Sequence, residues 1–168
     1  MKFKLIGVLA MLAVVAGCSH KPETTGTETG ATTSTQSGVT STSVTPGSQA
    51  DLAQNVGDRV WFDTDKSDLN QEARQTLDRQ AAWLKRYPNV RFLVEGHCDE
   101  RGTREYNMAL GARRAAAVRS YLIALGIDAG RLQTVSYGAE RPAVLGTGPE
   151  VWQQNRRAVS TVQGGPAS

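Results

Sequence analysis

Four residues that could do chemistry lie together near the middle of the chain: Glu95, His97, Asp99 and Glu100. An imidazole two residues from a carboxylate can act as a general base with an orienting partner, or contribute to a metal site. The chain has no Gly-x-Ser-x-Gly nucleophile motif, and its only other histidine is His20. The pattern therefore favours a structural imidazole at a strand end, hydrogen-bonded to backbone, and leaves catalysis as the alternative.

Recognition of charge is a second kind of chemistry that this region offers. Four residues are spaced by four, three and four positions and so share one stripe of a helix: Thr103, Asn107, Leu110 and Arg114. This stripe leads away from Asp99, so a carboxylate and a guanidinium would border one groove. Such a pair suits a zwitterion, whose ammonium meets Asp99 and whose carboxylate takes a two-pronged contact from Arg114. From the residues alone a surface charge pair is the more ordinary interpretation, and periodicity does not choose Arg114 over Arg113.

The elements that must position these residues are separated by caps and turns. Alternation of apolar residues predicts strands at Arg59–Phe62, Val90–Glu95, Leu132–Tyr137 and Arg157–Val162. Helices are predicted from the N-cap Asn70 to Tyr87, from the N-cap Thr103 to about Leu125 before Gly126, and around Glu150–Gln154. The apolar side predicted for the second helix consists of Tyr106, Leu110, Ala117, Tyr121 and Leu122.

This order of elements predicts an α/β fold. Right-handed crossovers place both long helices on one side of the sheet. The expected architecture is a two-layer sandwich, βαβαβ followed by a final strand, with the helices packed on one face of a small mixed sheet.

The N-terminus predicts a lipid anchor. Lys2 and Lys4 precede an apolar run, Leu5–Val15, that is too short to span a bilayer and fits an export signal. The run ends in Val-Ala-Gly followed by Cys18, which has the form of a lipobox. We therefore expect residues 1–17 to be removed and Cys18 to carry the lipid; an ordinary secretory signal is the alternative. Cys98 is then left without a disulfide partner, and we interpret it as a small buried apolar residue.

Composition sets the remaining boundaries and excludes some functions. Residues 18–55 are predicted to be a flexible tether because Thr, Ser and Gly dominate there. A domain at 56–163 and a disordered tail at 164–168 follow. Two histidines and one free cysteine cannot form an ordinary zinc site, so no metal and no cofactor are predicted. Removal of the signal leaves 17 of the 19 basic side chains against 16 acidic ones. Acidic and basic residues also interleave, as in Asp99-Glu100-Arg101 and Arg104-Glu105, which argues against the basic face that nucleic-acid binding needs.

Residues 60–162 resemble the OmpA-like peptidoglycan-binding domain family. The resemblance is carried by the stretch 94–107 (VEGHCDERGTREYN), by 110–115 (LGARRA) and by 155–157 (NRR). It implies non-catalytic binding of the diaminopimelate residue of peptidoglycan stem peptides. By motif position, Asp99 takes the ligand's ammonium and Arg114 its carboxylate.

The resemblance also implies roles for the surrounding residues. Phe62, Asp63 and Thr64 would line the groove, and Leu110 would form an apolar wall. Arg101 and Gly102 would shape the rim of the groove. Asn107 would brace the loop from the helix, and His97 would be a second supporting residue that does not contact the ligand. For Arg156 and Arg157, a structural role near the last strand and ligand contact both stay open.

The lipid-anchored members of this family suggest partners and a location. They imply contact with TolB, at a site overlapping the peptidoglycan site, and with TolA. They also imply anchoring in the outer membrane, facing the periplasm, with which Ser19 after the lipidated cysteine is compatible. Two other hypotheses remain: a periplasmic hydrolase using His97 and Asp99, and a pure protein-interaction module that binds TolB alone.

Overall fold

The computed structural model describes residues 44–164, which form one four-stranded sheet with helices. The strands are β1 (Arg59–Trp61), β2 (Arg91–His97), β3 (Leu132–Gly138) and β4 (Arg157–Gln163). The helices are α1 (Gln49–Asp51), α2 (Gln71–Arg86), α3 (Arg104–Ala124) and α4 (Pro149–Asn155). A π-helical turn at Leu52–Val56 and a 3-10 turn at Ala129–Arg131 complete the list. Within residues 44–164, no helix combines the length and apolarity needed to cross a bilayer.

The sheet is mixed, with the strand order β1-β4-β2-β3. Strands β2 and β3 are parallel, whereas β4 runs antiparallel to both β1 and β2. Helices α2 and α3 share one core with the sheet. The buried residues of this core include Leu77, Phe92 and Val118. The predicted α/β sandwich of βαβαβ followed by a final strand is therefore confirmed, and its elements end within about two residues of the predicted positions. The sequence did not indicate that the final strand lies between β1 and β2.

The predicted caps form as the sequence indicated. The Asn70 side chain accepts a hydrogen bond from the Ala73 amide at the start of α2, and Thr103 accepts one from the Tyr106 amide at the start of α3. Gly126 follows α3 with φ +88°. This left-handed conformation favours glycine and ends the helix.

A pair of glycines brings α3 close to β2. A Cβ atom added to Gly96 would lie 1.9 Å from the backbone oxygen of Gly111, and one added to Gly111 would lie 2.4 Å from Ser136 Oγ. Only two residues without side chains allow this approach. The contact fixes the first half of α3 against the end of β2, where the Asp99 loop begins.

The buried side of α3 differs from the predicted one. Tyr106 is 41% exposed and Ala117 is half-buried, whereas Asn107 and Arg114 are buried. The prediction counted apolar side chains, but these two polar ones face inward because they bind backbone carbonyls, as described below.

Folded structure begins earlier than the predicted boundary at residue 56. Leu52 is fully buried in the core. The Asp51 carboxylate accepts hydrogen bonds from Trp83 Nε1 at 2.9 Å and from the Gly47 amide at 2.8 Å. Gln49 Oε1 accepts one from the amide of Val162 in β4. These contacts attach the end of the predicted tether to the domain, so the prediction of a tether through residue 55 is wrong at its end.

The chain enters the domain at one end of the sheet. Pro46, Tyr87, Asn89 and Gly164 line one cavity of about 560 Å³. Asn89 precedes β2 and Gly164 follows β4, so this cavity lies at the end of β2 opposite to the Asp99 loop. The predicted signal, Cys18 and the tail residues 165–168 lie outside the described residues.

Candidate functional site

Arg114 has the largest side chain that is fully buried in the domain. Its guanidinium donates to three backbone oxygens: Nε to Lys66 at 2.9 Å, Nη1 to His97 at 2.8 Å and Nη2 to Asp63 at 3.1 Å. Nη1 also contacts Cys98 Sγ at 3.5 Å. A helix, the end of β2 and the loop after β1 are therefore joined by one side chain.

These contacts limit what Arg114 can offer a ligand. A guanidinium has five N–H groups, and four contacts are already made within the domain. One N–H group remains, so a two-pronged grip on a carboxylate requires Arg114 to release one of these four contacts. Burial lowers the pKa of Arg114 below its ordinary value, and the nearby charge of Arg156 acts in the same direction. The group still carries its positive charge at neutral pH.

Asp99 lies in the loop between β2 and α3, and its carboxylate is hydrogen-bonded from two sides. Arg101 donates its backbone amide and Nε to Oδ1 at 3.1 and 3.0 Å, and its Nη2 to Oδ2 at 2.7 Å. Arg156 Nη1 donates to Oδ2 at 3.3 Å. Burial alone would raise the pKa of Asp99, but the hydrogen bonds from the two arginines outweigh it and hold the pKa below its ordinary value. The carboxylate is therefore ionised at neutral pH.

Arg156 is a member of the site whose role the sequence left open. It follows α4, and its Nε donates to the Phe62 backbone oxygen at 3.1 Å while its Nη2 contacts Gln153 Oε1. The side chain is 10% exposed. Arg156 thus connects the loop after β1 to Asp99. Arg157 instead donates to the backbone oxygens of Asn155 and Arg141, and has no contact with Asp99.

The Asp99 loop is braced from α4 as well as from α3. The Arg101 guanidinium lies 4.2 Å above the ring of Trp152, and Trp152 Nε1 donates to Glu100 Oε1 at 3.0 Å. From α3, Asn107 Nδ2 donates to the Arg101 backbone oxygen at 2.9 Å. The loop therefore has a fixed shape, with Trp152 as a partner that no local sequence signal indicated.

The residues predicted to line a groove take two different positions. Phe62 and Leu110 are 1% and 3% exposed, so they lie beneath the site rather than on its surface. Phe62 stands under the Arg114 guanidinium, with 5.2 Å between the ring centroid and Cζ. Asp63, Thr64 and Gly102 are exposed at the rim. Thr64 Oγ1 accepts a hydrogen bond from Arg101 at 3.4 Å, which joins the two loops across the site.

Cys98 contributes to the same network without facing the rim. Its thiol is buried and donates to the Asn107 backbone oxygen at 3.3 Å. Burial raises the pKa of this thiol, so it stays protonated. A small side chain fits here because α3 runs close to the end of β2.

His97 lies apart from Asp99. The ring is 2% exposed and packs on Tyr137, with 5.6 Å between the centroids. Neither ring nitrogen has a hydrogen-bond partner in the described residues, and the nearest acidic atom is Glu95 Oε2, 3.5 Å from Nε2. The expected hydrogen bond from the imidazole to backbone is therefore not formed with ordinary geometry, although the Arg141 backbone lies near enough to favour the protonated ring. Burial and the charges of Arg157 and Arg141 lower its pKa to about 4. His97 and Asp99 do not form a base with an orienting carboxylate.

Comparison with known proteins identifies the family. The OmpA family model matches residues 61–156, which include every residue of the Asp99–Arg114 network. The chain belongs to the OmpA family. The "Peptidoglycan-associated lipoprotein" of Rhizobium meliloti (strain 1021) is 49% identical over 160 residues, which cover 95% of this chain and 87% of that protein. The "Peptidoglycan-associated lipoprotein" of Agrobacterium fabrum is 59% identical over 123 residues, which cover 73% of this chain and 69% of that protein.

A solved structure supports the same grouping within the OmpA family. The crystal structure of the peptidoglycan-associated lipoprotein from Burkholderia pseudomallei is 38% identical, with a TM-score of 0.63. The match covers 67% of this chain and all of that chain. The resemblance found in the Asp99 loop is thus confirmed, and this OmpA-family chain groups with the peptidoglycan-associated lipoproteins.

The candidate site contains residues whose contribution sequence reasoning left open or missed. Arg156 and Trp152 lie more than 50 residues from Asp99 along the chain, yet both reach its loop. The motif at residues 155–157 was a signal for Arg156. Spacing alone gave no signal for Trp152, because its partners Glu100 and Arg101 belong to a distant loop.

Proposed function

We propose that this protein is an outer-membrane lipoprotein that binds peptidoglycan non-covalently through the diaminopimelate residue of stem peptides. The observation that carries the proposal is the pair of opposite charges at one end of the sheet. Asp99 and Arg114 are both buried, and Arg114 donates to the two residues that immediately precede Asp99.

The chemistry of diaminopimelate matches this pair. The end of its side chain carries an ammonium and a carboxylate on one carbon, so it needs an anion and a cation a few ångströms apart. Asp99 would receive the ammonium, and the field of Arg114 would favour the carboxylate. The names of the relatives, which associate those proteins with peptidoglycan, support the cell wall as the target.

The remaining parts of the proposal concern anchoring and partners. Lipidation of Cys18 would place the domain on the periplasmic side of the outer membrane, so that binding links that membrane to the cell wall. We place the protein in the Tol-Pal system, with TolB and TolA as partners and a role in envelope integrity and cell division. No catalytic step is part of this function.

Cosedimentation with purified diaminopimelate-type sacculi tests the proposal. The exported chain carrying Cys18→Ser lacks the anchor and keeps every described residue. It should sediment with protein-free sacculi, and Asp99→Ala should weaken binding by about 2–5 kcal/mol because a desolvated charged contact is lost. Asp78→Ala is the matched control because it removes the same charge from the surface of α2. Among the described residues, Asp78 accepts a hydrogen bond only from Tyr121.

Three outcomes of this experiment would contradict the proposal. Sedimentation of a folded Asp99→Ala variant at wild-type levels would exclude the site. No binding of the unmodified chain to sacculi, together with binding to TolB, would favour a pure protein-interaction module. Release of soluble muropeptides, lost in His97→Ala, would favour the hydrolase.

A further inference from the structure

The carboxylate that should receive the ligand's ammonium already holds a cation from the same chain. Arg101 approaches Asp99 with a fork, Nε on Oδ1 at 3.0 Å and Nη2 on Oδ2 at 2.7 Å. This is the strong two-pronged geometry of an arginine–carboxylate pair. A ligand ammonium therefore reaches Asp99 only by displacing a guanidinium.

The two guanidinium groups on Asp99 differ in their freedom to leave. Arg156 is 10% exposed and is held in place by hydrogen bonds to Phe62 and Gln153. Its contact with Asp99, at 3.3 Å, is longer than the 2.7 Å contact of Arg101. Arg101 is 40% exposed, and within residues 44–164 its only other side-chain hydrogen bond is the 3.4 Å contact with Thr64. Arg101 is thus the group that a ligand can displace.

A displaced Arg101 would remain beside the site. Its guanidinium lies over Trp152, and its backbone is held by Asn107. Stacking on an aromatic face does not use the N–H groups in the guanidinium plane, so these stay available to an incoming anion. Arg114, with one N–H group left, offers less than Arg101 does.

We propose that Arg101 determines specificity by exchanging partners: the ligand's ammonium takes its place on Asp99, and the ligand's carboxylate takes the guanidinium that is released. The inference rests on the proposed function. A diaminopimelate side chain gives each member of the broken pair a new partner: its ammonium pairs with Asp99 and its carboxylate pairs with Arg101. A lysine side chain has the ammonium but no carboxylate. It would therefore give Asp99 a new partner and leave Arg101 without an anion. The internal ion pair therefore makes binding of lysine-type stem peptides costly.

Calorimetric titration of the Cys18→Ser chain with two synthetic peptides tests this exchange. The probes are the tripeptide L-Ala–γ-D-Glu–meso-diaminopimelate and the same peptide ending in L-lysine. We expect the wild-type chain to prefer the diaminopimelate peptide, and Arg101→Gln to reduce the ratio of the two affinities by about tenfold or more, the effect of one charged hydrogen bond. Arg104→Gln is the matched control because, in the described part of the chain, Arg104 pairs only with Glu140 at the surface.

The outcomes separate failure of the exchange from failure of the proposed function. An unchanged ratio in a folded Arg101→Gln variant, with both affinities lowered equally, would make Arg101 a simple rim residue and overturn the exchange. If the folded wild-type chain binds neither peptide, the proposed function fails and the exchange fails with it. Equal loss of the ratio in Arg104→Gln would assign the effect to net charge and would also overturn the exchange.

A measurement on the wild-type chain avoids any effect of Arg101→Gln on folding. The Nε–Hε signal of Arg101 can be followed by NMR while each peptide is added. Exchange predicts that the diaminopimelate peptide moves this signal and keeps its proton protected from solvent, whereas the lysine peptide leaves it unprotected. A signal that stays unmoved at saturation with the diaminopimelate peptide would overturn the exchange.

Discussion

Replacement of Arg114 by alanine should destabilise the domain as well as impair its ligand site. The variant would leave the backbone oxygens of Lys66 and His97 without their donor, whereas the Asp63 oxygen would keep its hydrogen bond from the Lys66 amide. An unsatisfied buried acceptor costs about 1–3 kcal/mol. Water entering the vacated space would lower the total, so we take about 1 kcal/mol for each oxygen. Loss of packing by a fully buried side chain adds about 1–2 kcal/mol, which gives about 3–4 kcal/mol.

Urea unfolding followed by the fluorescence of the buried Trp83 measures this change. A loss of about 3–4 kcal/mol corresponds to a fall of about 1.5–2 M in the midpoint for a domain of this size. Arg113→Ala is the control that the chain itself provides. Arg113 is the preceding residue of α3, is exposed, and should change the free energy of unfolding by less than about 0.5 kcal/mol. A loss below about 1 kcal/mol in Arg114→Ala, or equal losses in the two variants, would refute this account of Arg114.

Three further predictions concern parts of the fold that support the site. Gly96→Ala should lower the unfolding temperature and cost about 2–4 kcal/mol, since its Cβ would meet the Gly111 oxygen at 1.9 Å; an unchanged melting curve would contradict the close packing of α3. Leu52→Ala should cost about 2–4 kcal/mol in urea unfolding because Leu52 is fully buried; a surface-like effect would return residues 44–55 to the tether. His97 has a folded pKa of about 4, below its ordinary 6.5. The unfolded chain therefore binds more protons between these values, and stability should fall as pH drops from 7 to 5. His97→Phe should show a smaller fall, and an equal fall would assign the dependence to other groups.

The sequence predicted those parts of the fold that depend on local signals. Asn70, Thr103 and Gly126 mark helix ends by chemistry that acts within four residues, and the structure confirms all three. The π-helical turn at Leu52–Val56 was missed because Thr, Ser and Gly dominate the segment before it. Its attachment depends on Trp83, which is 32 residues from Asp51.

The candidate site shows the same division between local and distant contacts. Helical spacing placed Asn107, Leu110 and Arg114 on one face, and the structure buries all three. Spacing did not show that this face is directed inward, because a buried arginine needs acceptors from distant segments, here Asp63 and Lys66. The sequence also did not predict the ion pair between Arg101 and Asp99, because a motif identifies residues but does not show which of them pair with each other.

The position of the chain entry has a mechanical consequence. Pro46 lies at one end of β2 and the Asp99 loop at the other, separated by about 20 Å of strand. Tension between an anchored N-terminus and a wall-bound ligand would run nearly parallel to the central strands. The hydrogen bonds that join β2 to its neighbours would then be loaded together in shear, rather than broken one after another from one end. The domain is built to resist pulling along the direction in which its proposed attachments would pull.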